Sequence, residues 1–151
     1  MWEFIKNFDS RAIIFFQKYN VLIARLAIFT VYFWFGLLKI LGFSPATPLV
    51  KTLFDATLSF FIPFTLFYLL FSLFEIIIGI IFLIKGLERL GIVMIFAHLF
   101  TTVLPLVLTP DSVWQSFLVP TLEGQYIIKN ILIFASITII GSKLTPLSEK
   151  R

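Results

Sequence analysis

The amino-acid sequence predicts an all-α integral membrane protein, a four-helix bundle with an amino-terminal interfacial amphipathic helix. The first observation is composition: 60% of the 151 residues are hydrophobic and 13% are charged, whereas soluble domains carry about 25% charged residues. The second is four apolar runs, each close to the ~20 residues that cross a hydrocarbon core. The third is an apolar stripe at helical spacing in the first twenty residues. A soluble domain could not cover this apolar surface, and disorder requires low hydrophobicity, so both classes are excluded.

Residues 1–20 are predicted to form a helix that lies in the membrane interface. Apolar side chains recur there at steps of three and four, while the lysines and polar side chains lie largely off that stripe. This pattern is typical of an interfacial amphipathic helix. The stripe consists of Trp2, Ile5, Phe8, Ala12, Phe16 and Tyr19.

Four membrane spans are predicted at about residues 21–41, 64–84, 90–108 and 126–142. Pro63 precedes the second span, and Pro110 and Pro146 follow the third and fourth, since proline is tolerated in a first helical turn but cannot continue a helix. A short amphipathic helix, capped by Thr47 and opened by Pro48, is predicted between the first two spans. We expect residues 1–151 to form a single membrane domain.

Lysine and arginine are distributed unevenly between the two sides of this bundle. The opposite loops, 42–63 and 109–125, contain a single basic residue, Lys51. By the positive-inside rule, both termini are therefore expected in the cytoplasm. Eight of the twelve basic residues fall on the side of the termini: Lys6, Arg11, Lys18, Lys85, Arg89, Lys143, Lys150 and Arg151.

The chain contains no cysteine and one histidine. The lack of thiols excludes disulfides, Fe–S clusters, Cys-ligated zinc and covalent c-type haem, and one histidine cannot supply bis-histidine haem ligation within one chain. We therefore expect no metal site and no intrinsic cofactor. Any redox role would use a diffusible or partner-bound cofactor, with a quinone as the candidate.

Ionisable residues inside a span are costly, so each is a functional candidate. Together with other polar and small residues they form one polar stripe on each span, and four such stripes turned inward predict a packed bundle. The five ionisable residues are Arg25, Lys39, Glu75, His98 and Lys129. The stripes also contain Tyr32, Gly36, Tyr68, Ser72, Gly79, Gly91, Thr102, Pro105, Gln125 and Ser136. Gly36 and Gly79 are expected to permit close helix approach.

The helical rise of about 1.5 Å per residue divides the polar residues into two levels. Glu75 and His98 fall near mid-membrane, with Arg25 within reach of that level. The outer level contains Lys39, Tyr68, Gln125 and Lys129. We expect the two lysines to converge on one donor-rich cavity that suits a quinone oxygen, a lipid phosphate or a small anion.

Structural interpretations of the same residues stay open. Arg25 can snorkel to the cytoplasmic interface, and the two outer lysines can reach headgroups or pair with an acidic loop residue (Asp55, Asp111 or Glu123). Glu75 is too short and too central to snorkel, so it is either neutral or paired with Arg25, His98 or a lysine. His98 alone can be a packing residue, and Tyr32, Ser72 and Thr102 can be interior structural groups.

Three motifs resemble the DoxX-like family of small bacterial membrane proteins. Residues 32–39 (YFWFGLLK) with 44–46 (SPA) are similar to the end of that family's first span, 75–79 (EIIIG) to its second, and 122–130 (LEGQYIIKN) to the start of its fourth. The likeness covers about residues 21–142. It implies a four-helix bundle in a bacterial inner membrane. It also implies a loose link to membrane redox work, because some relatives are small subunits of quinone-reducing sulfur-compound oxidases.

Three functions stay open from the sequence. The first is a small subunit or partner of a quinone-linked membrane oxidoreductase, non-catalytic rather than a stand-alone enzyme, in which Glu75 relays a proton and neighbouring donors bind a quinone. The second is a carrier of a small anion or amphipath acting as an oligomer, although no paired broken helices of the transporter kind are predicted. The third is a structural accessory of a larger complex. Nucleic acid is not an expected partner.

Overall fold

The computed structural model describes residues 1–149 as a mostly helical chain. Its elements in chain order are α1 (Trp2–Ile40), α2 (Thr47–Thr57), α3 (Phe64–Ile81), α4 (Glu88–Val103), α5 (Pro105–Leu108), α6 (Pro110–Val113), β1 (Trp114–Ser116), β2 (Val119–Pro120), α7 (Leu122–Lys129), α8 (Ile131–Gly141) and a 3₁₀ turn (Leu147–Glu149). Lys150 and Arg151, two of the basic residues behind the predicted orientation, lie outside the described residues.

Four segments of the described chain are long and apolar enough to cross a membrane: α1, α3, α4 with α5, and α7 with α8. They correspond to the four predicted spans and pack together around one core, so the prediction of a four-span helical membrane protein is confirmed. The fourth segment begins at Leu122 rather than 126, because the Thr121 hydroxyl accepts a hydrogen bond from Gly124 N–H at 3.1 Å and caps α7.

Residues 2–20 are the first half of α1 rather than a separate helix. α1 continues for 39 residues, a length of about 58 Å, which is nearly twice the ~30 Å of a hydrocarbon core. The chain from Ala12 to Leu26 contains no glycine or proline, so nothing in it breaks the helix. The sequence predicts a separate interfacial helix that ends at residue 20. In the structure, one helix continues through this position. The apolar stripe stays largely exposed, and two of its members, Trp2 and Phe8, are each 68% exposed.

The closest helix pair is α1 with α3, and two glycines make that approach possible. A Cβ on Gly36 would lie 2.8 Å from the backbone oxygen of Ser72, and one on Gly79 would lie 2.9 Å from the backbone nitrogen of Phe33. Any larger side chain would push the helices apart, so the predicted role of these glycines is confirmed. The pairs also show that the two helices run antiparallel, since the later glycine meets the earlier part of α1.

The core lies where α1, α3, α4 and α8 meet. Isoleucine dominates it because the branched side chain fills space between helices without a polar atom. Its buried members are Ala24, Ile28, Tyr32, Ile78, Phe82, Ile95, Ile137 and Ile140. Tyr32 is the polar member, and its ring therefore carries a hydroxyl into the interior.

The third and fourth spans each contain a one-residue interruption of regular helical hydrogen bonding, at Leu104 and Asn130, although the backbone of both residues stays in the right-handed helical region. The sequence analysis predicts neither. α4 ends before Pro105, whose missing N–H removes a helical hydrogen bond. α7 ends at Asn130, whose N–H bonds to Ile127 O at 3.1 Å in a tighter, 3₁₀-like turn. The interruptions lie close together, because Asn130 Nδ2 donates to Thr102 Oγ1 at 3.3 Å.

The connections on one side of the bundle are compact. α2 forms as predicted with Pro48 in its first turn, but Thr47 is not its cap: the cap position is Ala46, and the Thr47 hydroxyl donates to Ser44 O at 2.8 Å. Between α6 and α7 the chain forms a short antiparallel hairpin, β1 with β2. We call the side of the bundle that carries α2 and this hairpin the α2 side. The opposite side, which holds the connection from α3 to α4, is the α3–α4 side.

Candidate functional site

Four buried side chains from three helices form one continuous hydrogen-bonded chain, which we call the buried network. Glu75 on α3 lies at its centre: Oε2 is 2.6 Å from Lys39 Nζ on α1, and Oε1 is 3.0 Å from His98 Nε2 on α4. The other ring nitrogen of His98, Nδ1, is 3.2 Å from the hydroxyl of Tyr32. All four residues are at least 93% buried. The structure therefore brings together Tyr32, Lys39, Glu75 and His98.

Lys39 and Glu75 meet because α1 and α3 are antiparallel. Side chains on a helix lean toward its amino terminus. Lys39 therefore leans away from the α2 side, and Glu75 leans toward it. The lysine side chain spans the remaining distance, so a residue expected at the outer level reaches the mid-membrane carboxylate. Of the pairings left open for Glu75, the structure contains those with a lysine and with His98.

For an ionised Glu75 and a neutral His98, hydrogen-bond balance assigns a donor direction to each contact in the network. A carboxylate only accepts and an ammonium only donates, so Lys39 donates to one oxygen of Glu75 and His98 Nε2–H donates to the other. A neutral imidazole then accepts at Nδ1, and the Tyr32 hydroxyl donates to it. Tyr32, His98 and Glu75 thus form an ordered row of donors and acceptors that leads to the Lys39–Glu75 ion pair.

Aromatic rings shield the network from water and lipid. Phe71 stacks on the His98 ring with centroids 5.3 Å apart and planes at 12°, and Lys39 Nζ lies 5.6 Å from the centroid of the same phenyl ring. Tyr32 meets His98 edge-on at 4.9 Å. A low-polarity wall strengthens electrostatic contacts within the network and raises the cost of leaving either charge unpaired.

Tyr68 and Ser72 continue the polar face of α3 toward the α2 side. Ser72 Oγ donates to Tyr68 O at 2.6 Å, a bond within the helix. The Tyr68 hydroxyl is 2.6 Å from Thr47 Oγ1. Because Thr47 uses its single hydrogen on Ser44 O, Tyr68 is the donor in that contact. Tyr68 therefore fastens α2 to α3.

Arg25 does not join Glu75; of the two positions left open for it, the structure shows the one toward the end of the bundle that holds the α3–α4 connection. Its Nε donates to Phe82 O and its guanidinium pairs with Glu88, each at 2.6 Å. Arg25 leans toward the amino terminus of α1, which is the α3–α4 side, and Glu88 lies there at the start of α4. The other Glu88 oxygen accepts from Gly86 N–H at 2.7 Å. Arg25 thus stabilises the turn between α3 and α4.

Lys129 and Gln125 are exposed on α7, so the expected cavity shared by Lys39 and Lys129 is wrong. Lys129 Nζ lies 5.2 Å from the centroid of the Tyr126 ring on the same helix, whereas Lys39 is buried against Glu75. The cause is again helix direction. α7 runs away from the α2 side, so the Lys129 side chain leans outward to the membrane surface.

Three contacts escaped the sequence analysis: Tyr32 with His98, Arg25 with Glu88, and Asn130 with Thr102. Tyr32 and Thr102 were placed on interior faces, but no pattern within one helix shows which residue of another helix each meets. A signal existed for Glu88, since it is an acidic residue at the same membrane boundary that Arg25 faces. Among residues 1–149, no group of three His, Asp or Glu side chains is arranged to hold a metal ion.

Comparisons with protein-family models, with curated proteins and with solved structures give no match to this chain. The membrane assignment rests on the structure. Four helices are long and apolar enough to span a bilayer, and their apolar outer faces fit contact with lipid.

Proposed function

We propose that the protein is a small membrane subunit that moves protons for a quinone-linked membrane oxidoreductase. The observation that carries this proposal is the buried network of Tyr32, His98, Glu75 and Lys39. Rows of ionisable side chains within a membrane are costly and mark proton relays. The resemblance of three motifs to the DoxX-like family supplies the link to redox partners.

The network's contribution is limited to proton transfer. Three of the four donors expected to bind a quinone already have partners within the chain: Lys39 and His98 bond to Glu75, and Tyr68 bonds to Thr47. Lys129, the fourth, is exposed on α7. Reduction of a quinone takes up two electrons and two protons; the electrons would come from the partner. In this chain, His98 passes its Nε2 proton to Glu75 and receives one at Nδ1 from Tyr32, which takes up a replacement proton from the partner, and Glu75 then releases its proton toward the quinone. Lys39 stabilises the carboxylate form of Glu75 between transfers.

Orientation and surface attachment belong to the same proposal. We place the chain in a bacterial inner membrane with both termini in the cytoplasm, and the apolar stripe of the first half of α1 against the membrane surface. Single cysteines can be introduced without interference, since the native chain has none. An impermeant thiol reagent should label Ser116→Cys but not Ser148→Cys in intact cells. Labelling of the second site alone would reverse the orientation.

A carrier of a small amphipath, acting as an oligomer, is the second candidate function. The observation that favours it is the apolar cavity of 260 Å³ that opens beside Asn130, between the third and fourth spans. Counterflow in proteoliposomes that contain only this protein would support the carrier. A purely structural accessory would bind a complex and tolerate neutral replacement throughout the buried network.

The deciding experiment combines purification with one matched pair of variants. Gentle-detergent purification followed by mass spectrometry should identify a flavin-, haem- or Fe–S-containing partner. In that complex, Glu75→Gln keeps the side-chain shape but should slow quinone reduction at least about tenfold, within the range of general acid–base contributions. Glu123→Gln, the same change at an exposed site, should have no effect. Equal rates for both variants would eliminate the proton relay.

A further inference from the structure

A cavity of 260 Å³ opens beside the interruptions of the third and fourth spans. Leu99, Val103 and Leu106 form one wall, and Ile131 and Phe134 form the other, with Asn130 between them. We call this cavity the span groove. Val103, Ile131 and Phe134 are 44–68% exposed, so the groove opens toward the surface that faces lipid.

The groove is apolar except for one amide at the interruption of the fourth span. Asn130 carries two N–H donors and one acceptor oxygen. Within residues 1–149, the structure shows one bond from this side chain, from Nδ2 to Thr102 Oγ1. The amide therefore retains a donor and an acceptor in surroundings that offer hydrocarbon. A hydroxyl head can satisfy both, because it donates and accepts, and a carbonyl head can satisfy the free N–H.

We propose that the span groove binds an uncharged single-chain amphipath, with a carbonyl or hydroxyl head at Asn130 and an apolar tail along the groove walls. A carbonyl oxygen accepts the free N–H, and a hydroxyl donates to the amide oxygen, so one side chain recognises either head. Among residues 1–149, the side chains that line the groove carry no charge, which disfavours an ionic head because a desolvated charge would lack a partner.

The size of the groove and its position on α4 further define the ligand. Its volume lies just below the ~300 Å³ at which pockets hold whole drug-sized molecules, so it fits a small head or part of a chain while the rest stays in lipid. Thr102, which holds Asn130, lies four residues after His98 on the same face of α4. The head would thus bind about one helical turn from the buried network. The choice of a quinone as the occupant rests on the proposed function, whereas the groove as a binding site does not.

The test is ligand retention by the full chain in nanodiscs, measured by native mass spectrometry with three probes. Decylubiquinone and a monoacylglycerol are uncharged single-chain amphipaths, and a fatty acid is the charged comparison. Both uncharged probes should be retained, and the fatty acid should bind at least about tenfold more weakly. Val103→Trp fills the groove and should abolish retention, whereas Val93→Trp, on the same helix at an exposed site outside the groove, should not change it.

Asn130→Leu keeps the size of the side chain and removes the polar head contact. It should weaken retention of both uncharged probes about tenfold, which corresponds to a hydrogen bond or two.

Retention by Val103→Trp equal to that of Val93→Trp would overturn the groove as a site. Binding of monoacylglycerol without decylubiquinone would leave the groove in place and remove the quinone. A Glu75→Gln complex with normal turnover would instead contradict the proton relay and leave the groove untouched.

Discussion

The interface of α1 with α3 and the interface of the third span with the fourth differ in how closely their backbones approach. At the first, Gly36 and Gly79 leave no room even for a Cβ, and the Lys39–Glu75 ion pair is buried. At the second, both helices are interrupted, and a 260 Å³ groove stays open. Close packing fixes charged groups in one geometry, whereas interrupted helices leave room for a ligand. The buried ion pair and the open groove thus lie at different helix interfaces.

The largest effect is expected from breaking the ion pair at the close interface. Glu75→Leu leaves the Lys39 ammonium buried without its partner, which should lower the free energy of unfolding by about 3–5 kcal/mol. The double variant Lys39→Met with Glu75→Leu removes both charges and should recover most of that loss. Thermal unfolding in detergent measures both. A double variant as unstable as the single one would mean that the pair itself is not the cause.

Adding one methyl group at the same interface should lower the free energy of unfolding by a smaller amount. Gly79→Ala places a Cβ 2.9 Å from the Phe33 backbone nitrogen, and overpacking of this kind should cost about 1–3 kcal/mol. Gly141→Ala is the control, because its Cβ would lie 3.9 Å from the nearest atom. Alanine there should stabilise the helix by up to about 1 kcal/mol. Unfolding shifts of the same sign in both variants would contradict the close approach.

At the open interface, loss of the interhelical hydrogen bond should cost less. Asn130→Leu removes the contact with Thr102 and should lower the free energy of unfolding by about 1 kcal/mol, the usual net value of one hydrogen bond. Asn130→Asp is the informative companion, because its carboxylate cannot donate to Thr102 Oγ1, whose hydrogen bonds to Leu99 O, and it carries a charge into an apolar groove. We expect it to be the less stable of the two, and the reverse order in thermal unfolding would argue against an apolar groove.

The smallest effect should come from adding volume to the groove. Val103→Phe extends into open space, so its free energy of unfolding should stay within the range of ordinary surface changes, about 0.5 kcal/mol in either direction. Ile78→Phe adds similar bulk at a fully buried site of α3 and should destabilise by at least about 1 kcal/mol. Equal losses for the two variants would show that the groove is as tightly packed as the core.

The sequence predicted the four spans, the short helix that begins near Thr47 and the inward polar faces, because each depends on periodicity within one helix. It placed Tyr32, Glu75 and His98 in the interior, and it left pairing of Glu75 with His98 or a lysine open. It did not predict that Lys39 joins this group while Lys129 does not. That difference arises because the two helices run in opposite directions, so side chains at one depth lean opposite ways.

The interruption at Asn130 could not be predicted for a different reason. Asparagine in a helix interior has an only modestly unfavourable propensity, and its bond to Thr102 depends on a neighbouring helix. Pro105 did offer a signal, because proline cannot donate the helical hydrogen bond, but it was interpreted as part of a polar face. The continuity of α1 through residue 20 was missed because amphipathic character was taken to imply a separate helix.

The ordered row of hydrogen bonds through Tyr32, His98 and Glu75 can be tested at the His98 ring. His98 is the only histidine, so ¹⁵N-histidine labelling followed by solid-state NMR in lipid bilayers reports on this ring alone. We expect a neutral ring that is protonated at Nε2 and unprotonated at Nδ1. Tyr32→Phe should shift the Nδ1 resonance, and Tyr68→Phe should leave it unchanged. A proton on Nδ1 in the unmodified protein, or equal responses to the two tyrosine variants, would contradict this order of donors and acceptors.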